Sequence, residues 1–181
     1  LLLRSAAQGL GMTDNLRGAL LHARAYRIGR SSSDRERSAE AFAQEAIFSG
    51  SSGEAGRKRA ARLVAKLDAL YHPSLPSPHA AAWRSAALSV TEMQRSPTAE
   101  TAERLRETEN LFLDLRDGNA WAISSLRIIR AMTLRIVGDL PTLRTFVPEI
   151  LRDAEHRNDR YAFATIGRGS QILWKADDTP H

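Results

Sequence analysis

The sequence predicts an all-α fold built of stacked antiparallel helix hairpins, an α-solenoid of seven to eight helices. Three observations carry that prediction. Nearly every segment places its apolar residues at helical spacing, alanine, leucine, arginine and glutamate dominate, and no run of alternating β-branched residues occurs. The segment ends carry capping residues and turn glycines. Residues of one type also recur about every 40 positions, as they do when hairpins too small to bury their own apolar stripes stack on copies of themselves.

Helices are predicted over 14–29, 33–49, 54–71, 78–95, 98–116, 119–137, 140–157 and 159–175. The second opens on Ser33-Asp34-Arg35-Glu36, which reads as a capping box. The third follows the turn residues Ser49-Gly50-Ser51-Ser52-Gly53, and the fourth follows Pro73-Ser74-Leu75-Pro76-Ser77-Pro78. Ser77-Pro78 and Ser96-Pro97 each set an N-cap before a proline whose missing N–H costs nothing in the first helical turn. Gly118 before Asn119 and Gly138 before Asp139 each close one helix and start the next, and Asp159 caps the last. Pro148 falls inside the seventh helix, where its ring crowds the preceding turn, so a bend or a restart is expected there.

The internal repeat has two registers. Phe42, Trp83, Trp121 and Tyr161 are followed four residues later by Ala46, Ala87, Ser125 and Thr165, and one further on by Ile47, Leu88, Leu126 and Ile166. In the alternate helices Leu21, Leu63, Leu105 and Val147 keep a constant interval, with Ile28, Leu70, Phe112 and Ala154 seven residues after them. The expectation is that each aromatic is a large knob and that the small residue one turn later lets a neighbouring helix approach.

At 181 residues and 43% hydrophobic content the chain can bury a core, and it reads as one domain over 1–181. The absence of cysteine removes disulfides and thiolate metal sites and fits a reducing compartment. Net charge is +5, with arginine interleaved with acid as on solvated helix faces, so no nucleic-acid partner is expected. Leu1-Leu2-Leu3-Arg4 is too short for a signal peptide or a membrane span and reads as the tail of an earlier helix. Asp177-Asp178-Thr179-Pro180-His181 reads as a helix boundary, which makes the chain a fragment cut at both ends.

Candidate chemistry is sparse. His156-Arg157-Asn158-Asp159 comes within one residue of the kinase His-Arg-Asp signature, but Asn158 holds the aspartate position and Phe163 the metal-binding asparagine position. No phosphate-covering glycine loop and no Asp-Phe-Gly accompany it, so it reads as an interhelical turn. Gly167-Arg168-Gly169-Ser170 lies inside a helical segment with no strand before it, which excludes a nucleotide-binding turn and leaves a close helix contact or a local weakening. Histidines 22, 72, 79, 156 and 181 offer no pair on one helix face. No nucleophile elbow supports a serine triad, and no catalytic, cofactor-binding or metal-binding residue is assigned. The strongest charge feature is Gly56-Arg57-Lys58-Arg59-Ala60-Ala61-Arg62, in which Lys58, Arg62 and Lys66 share one helical face. These cations oppose the dipole of the helix start unless an anion offsets them, and they are candidate contacts for an acidic or phosphorylated partner.

Several runs carry a family resemblance: Arg17-Gly18-Ala19-Leu20-Leu21-His22-Ala23-Arg24-Ala25, Ala43-Gln44-Glu45-Ala46-Ile47-Phe48, Arg59-Ala60-Ala61-Arg62-Leu63, Gly138-Asp139-Leu140-Pro141-Thr142-Leu143-Arg144, Val147 to Ala162, and Ile172 to Pro180. Together they resemble the tetratricopeptide-like helical region that follows the catalytic domain in large bacterial serine/threonine protein kinases. The unit here is nearer 40 residues than 34 and lacks the Trp-Leu-Gly-Tyr signature. The resemblance implies a non-catalytic, cytoplasmic signalling arm that engages a protein partner or the kinase domain in cis, with ATP and magnesium held by that domain and no membrane contact. Arg84, Arg127, Arg130 and Arg168, all on first helices, are then candidate groove residues. The alternative is the helical sensor arm of a large ATP-dependent bacterial transcription regulator, binding a small effector.

Overall fold

Capping chemistry sets most of the helix starts. A computed structural model describes residues 14–70, 77–115 and 118–170, together with 3, 6, 7 and 10. Its elements are α1 (Asn15–Gly29), α2 (Arg35–Gly50), α3 (Gly53–Leu70), α4 (Pro78–Arg95), α5 (Ala99–Leu113), α6 (Ala120–Val137), α7 (Leu140–His156) and α8 (Arg160–Gly169). Among the described residues no strand occurs, and the all-α prediction holds. Asp14, Thr98, Asp139 and Asp159 each accept a backbone N–H three residues on, and Ser77 does the same ahead of Pro78.

Two start signals are corrected. The second helix is capped by Asp34, which accepts from the N–H groups of Glu36 and Arg37, so the Ser33 capping box does not form and the Glu36 carboxylate instead receives the Ser77 hydroxyl. The fifth is capped by Thr98, with Ser96-Pro97 left in the connection, and it ends at Leu113, earlier than predicted. Pro148 lies within α7, which continues through it without a restart. The predicted extension of the last helix to 175 falls outside the described residues.

Two turns are built alike. Gly138 adopts φ +78°, and the N–H of Asp139 returns to the Leu134 carbonyl at 3.0 Å. Asn158 adopts φ +54°, and the N–H of Asp159 returns to the Ala154 carbonyl at 2.8 Å. Each is a left-handed helix stop followed at once by an aspartate cap. His156-Arg157-Asn158-Asp159 is therefore interhelical punctuation, as its sequence indicates.

The chain divides into two compact units, Leu1–Thr91 and Glu92–His181, the boundary falling inside α4. In the first unit, contacts between α1 and α2 pair His22 with Glu45, Tyr26 with Phe42 and Gly29 with Ala41, a descending order that makes the two helices antiparallel. Glu45 with Arg59 and Ser49 with Gly56 show the same for α2 and α3. In the second unit Ser124 meets Arg157, Arg127 meets Asp153 and Arg130 meets Phe146, so α6 and α7 are antiparallel. Ser124 also reaches Asp159 at the start of α8, and Arg135 reaches the Gly169 carbonyl at its end. Ascending on both helices, these contacts make α6 and α8 parallel, as the first helices of successive hairpins are in a helical repeat.

Packing modifies the expected register. Leu63, Leu105 and Val147 are buried, as are Phe112 and Ala154, while Leu21 and Leu70 are half-buried and Ile28 is exposed. Among the aromatics Trp83 is buried and Phe42 half-buried, but Trp121 and Tyr161 are exposed. The knob reading fails for those two because α6 and α8 turn the next residue inward: Ala122 and Ala162 are buried, followed one turn later by Leu126 and Ile166. The second unit's core gathers Leu134, Leu143, Phe146, Val147, Ile150 and Ile166. In the first unit, alanines 39, 43, 46 and 60 line the contact and permit close approach.

Glycine is obligatory at two of these contacts. A Cβ on Gly29 would lie 2.5 Å from the Ala41 Cβ, and one on Gly56 would lie 2.2 Å from the Ser49 carbonyl oxygen. Gly167 meets nothing within 4 Å. Replacing Gly56 by alanine is expected to destabilise the protein by about 1–3 kcal/mol through overpacking. The Gly167→Ala change is expected to stabilise it by about 0.5–1 kcal/mol through helix propensity alone. Urea midpoints of the two variants check both signs.

Candidate functional site

The described residues place charge in three settings. In the first unit a single carboxylate joins three helices. Glu45 of α2 is buried; it receives His22 Nε2 from α1 at 2.9 Å, Arg59 Nη2 from α3 at 2.6 Å and the Ser49 hydroxyl at 3.4 Å. The His22 ring lies against Phe48, centroids 4.6 Å apart. Burial acts to raise the Glu45 pKa, but His22 and Arg59 outweigh it, and the carboxyl is held below its ordinary value of 4.5. Serine, histidine and carboxylate converge here without forming a catalytic triad. Both Ser49 and His22 point at the carboxylate, and a nucleophile would have to point at the histidine.

In the second unit the corresponding centre is a cation. Arg127 of α6 donates Nε to Glu109 of α5 at 2.6 Å and Nη1 to Asp153 of α7, with only 15% of its side chain exposed. Arg157 joins Asp153 at 2.6 Å and donates to Ser124 at 3.2 Å, and Ser124 donates to Asp159, the cap of α8, at 2.8 Å. The chain of bonds thus touches all four helices α5 to α8. Burial acts to lower the Arg127 pKa, yet Glu109 and Asp153 raise it overall. Burial likewise acts to raise that of Asp153, but Arg157 and Arg127 hold it below its ordinary value.

The predicted partner-binding residues separate accordingly. Arg127 is turned inward and is an internal clamp. Arg130 is half-buried with its guanidinium 4.2 Å from the Phe146 ring centroid, and burial, only partly countered by Glu109 and Glu103, pushes its pKa down. Arg84 pairs with Asp68 of α3. Arg168 is exposed on α8. Gly167-Arg168-Gly169-Ser170 ends that helix, and its Gly169 carbonyl accepts from the Arg135 guanidinium. A Cβ at Gly167 would meet nothing within 4 Å, so the glycines mark the helix end and not a close helix contact. Lys58, Arg62 and Lys66 are exposed along α3. Because α3 begins at Gly53, its first turn holds the anion Glu54, which pairs with Lys58 at 2.9 Å and offsets the dipole penalty that the sequence raises.

Neither centre matches a sequence motif, since the ion-pair partners that join different helices stand 14 to 26 residues apart. One signal exists. Glu109 lies four residues after Leu105 and three before Phe112, both fully buried, so a carboxylate sits on an apolar face and requires a cation. Of the histidines, His22 is on Glu45, His79 accepts from the Trp83 indole and His156 is exposed, while 72 and 181 lie outside the described residues. Among the described residues no cluster of three metal-ligating side chains occurs, and no helix is long and apolar enough to cross a membrane. Family models, curated proteins and solved structures give no match to this chain.

Acid titration tests the Glu45 centre. A carboxyl with a depressed folded pKa contributes stability that is present above its unfolded pKa and lost as pH falls through the folded one. Stability is therefore expected to fall as pH drops below about 4.5, the ordinary value. Glu45→Gln is expected to lower stability near neutrality by about 1–2 kcal/mol and to flatten that acid limb. Urea midpoints across the pH range give both quantities.

Proposed function

We propose that this chain is a non-catalytic helical-repeat module that docks protein, carried as the C-terminal arm of a bacterial serine/threonine protein kinase. The observation that carries the docking half is the registration of α6 and α8 as parallel neighbours by Ser124 with Asp159 and Arg135 with Gly169, beside the antiparallel α6 and α7. Repeats arranged in this way offer rows of exposed side chains to an extended or helical ligand. The disposition of the polar groups agrees with that reading, since the serine, histidine and carboxylate of the first unit are arranged as a structural tie. The kinase half rests on the sequence resemblance, above all Gly138 to Arg144 and Val147 to Ala162. On this reading the partner is a cytoplasmic protein or the kinase domain in cis, and that domain holds ATP and magnesium.

Two measurements test the proposal. The purified chain, incubated with labelled ATP and magnesium, is expected to transfer no phosphate to itself or to a generic protein substrate; transfer would contradict a non-catalytic module. The reading frame upstream of Leu1 is expected to encode a glycine-rich loop, His-Arg-Asp and Asp-Phe-Gly. A Walker-type ATPase in that place would replace the kinase arm by the sensor arm of a transcription regulator.

A further inference from the structure

We infer that the outer face of α3 is a docking strip for an acidic protein helix that presents carboxylates at every fourth position; this deepens the docking-module reading and rests on it. Glu54, Lys58, Arg62 and Lys66 stand four residues apart along one row of α3. The three cations therefore follow one another at intervals of about 6 Å over about 12 Å of helix. All three are exposed. The opposite face is committed inward, with Ala60, Leu63 and Leu67 buried and Arg59 donating to Glu45, so the helix cannot turn its cations inward. Glu54 answers Lys58, and among the described residues no carboxylate pairs with Arg57, Arg62 or Lys66.

A second feature selects the kind of partner. Beside the cationic row runs a row of alanines, Ala61, Ala65 and Ala69, all exposed. Side chains that end at Cβ let a second helix come close, while the longer lysines and arginine reach its carboxylates. The strip also has ends. Glu54 precedes the first cation on the same row and Leu70 is the residue that follows Lys66 on it, so a phosphate backbone continuing along the row would meet a carboxylate at one end and an apolar side chain at the other. A short acidic helix stops where the cations stop.

The test uses the full chain and a fluorescein-labelled, alanine-based peptide helix of about five turns with glutamate at every fourth position. Fluorescence anisotropy is expected to show binding that weakens as salt is raised. The variant Lys58→Glu, Arg62→Glu, Lys66→Glu is expected to lose about tenfold or more in affinity, with its urea midpoint close to the parent's. Reversing exposed cations elsewhere, Arg24→Glu and Arg152→Glu, is expected to leave binding near the parent level. Binding that survives the triple reversal overturns the strip while leaving the docking module standing, because the peptide is still held. Equal loss in the control variant, displacement of the peptide by duplex DNA, or no peptide binding at all also overturns the strip. Phosphate transfer by the chain alone contradicts the module reading whatever the peptide does.

Discussion

Each unit depends on one charge that is buried or largely so, placed on a middle helix and shared between its neighbours. In the first unit the charge is the Glu45 carboxylate, reached by His22 from α1 and Arg59 from α3. In the second it is the Arg127 guanidinium, which reaches Glu109 on α5 and Asp153 on α7. Signs are opposite and the geometry is the same. A buried ion left unpaired is strongly unfavourable, so each neighbour can sit only where its partner atom meets the charge. Apolar packing alone would tolerate a helix sliding by a turn; a carboxylate held at 2.6 Å does not.

Close backbone approach is a second constraint in the first unit, met by small residues at Gly29 against Ala41 and Gly56 against the Ser49 carbonyl. The second unit adds a polar relay. From Arg127 the bonds run through Asp153, Arg157 and Ser124 to Asp159, so the carboxylate that caps α8 is also the end of the network that fixes α7. Sequence position, helix start and tertiary contact are set by one residue. The exposed face of α3 is available for function because the ties lie on the opposite side of that helix, which leaves Lys58, Arg62 and Lys66 outward.

Legibility follows the range of the physics. Helix ends are local, and Asp139, Asp159, Gly138 and Ser77-Pro78 act as the sequence indicates. Asp34 and Thr98 displace the predicted caps because several neighbouring residues compete for the same backbone N–H groups, and only the backbone geometry decides among them. The aliphatic register is legible in Leu63, Leu105 and Val147. The aromatic register misleads at Trp121 and Tyr161, since a rotation of one position about the helix axis exchanges them for Ala122 and Ala162. The buried ties escape sequence reading because each joins residues on different helices, with only Glu109 betrayed by its place between Leu105 and Phe112.

The central claim is that shared buried charge holds the helices in register, and a double-mutant cycle on Arg127 and Glu109 tests it most directly. Arg127→Met is expected to destabilise the protein by about 2–3 kcal/mol, because it leaves the Glu109 carboxylate buried and uncompensated, and Glu109→Gln by about 1–2 kcal/mol, because Arg127 keeps Asp153. The double variant is expected to fall short of the sum by more than about 1 kcal/mol, the coupling of residues in direct contact. Additivity within about 0.5 kcal/mol would mean that the two side chains act independently, and would contradict the account.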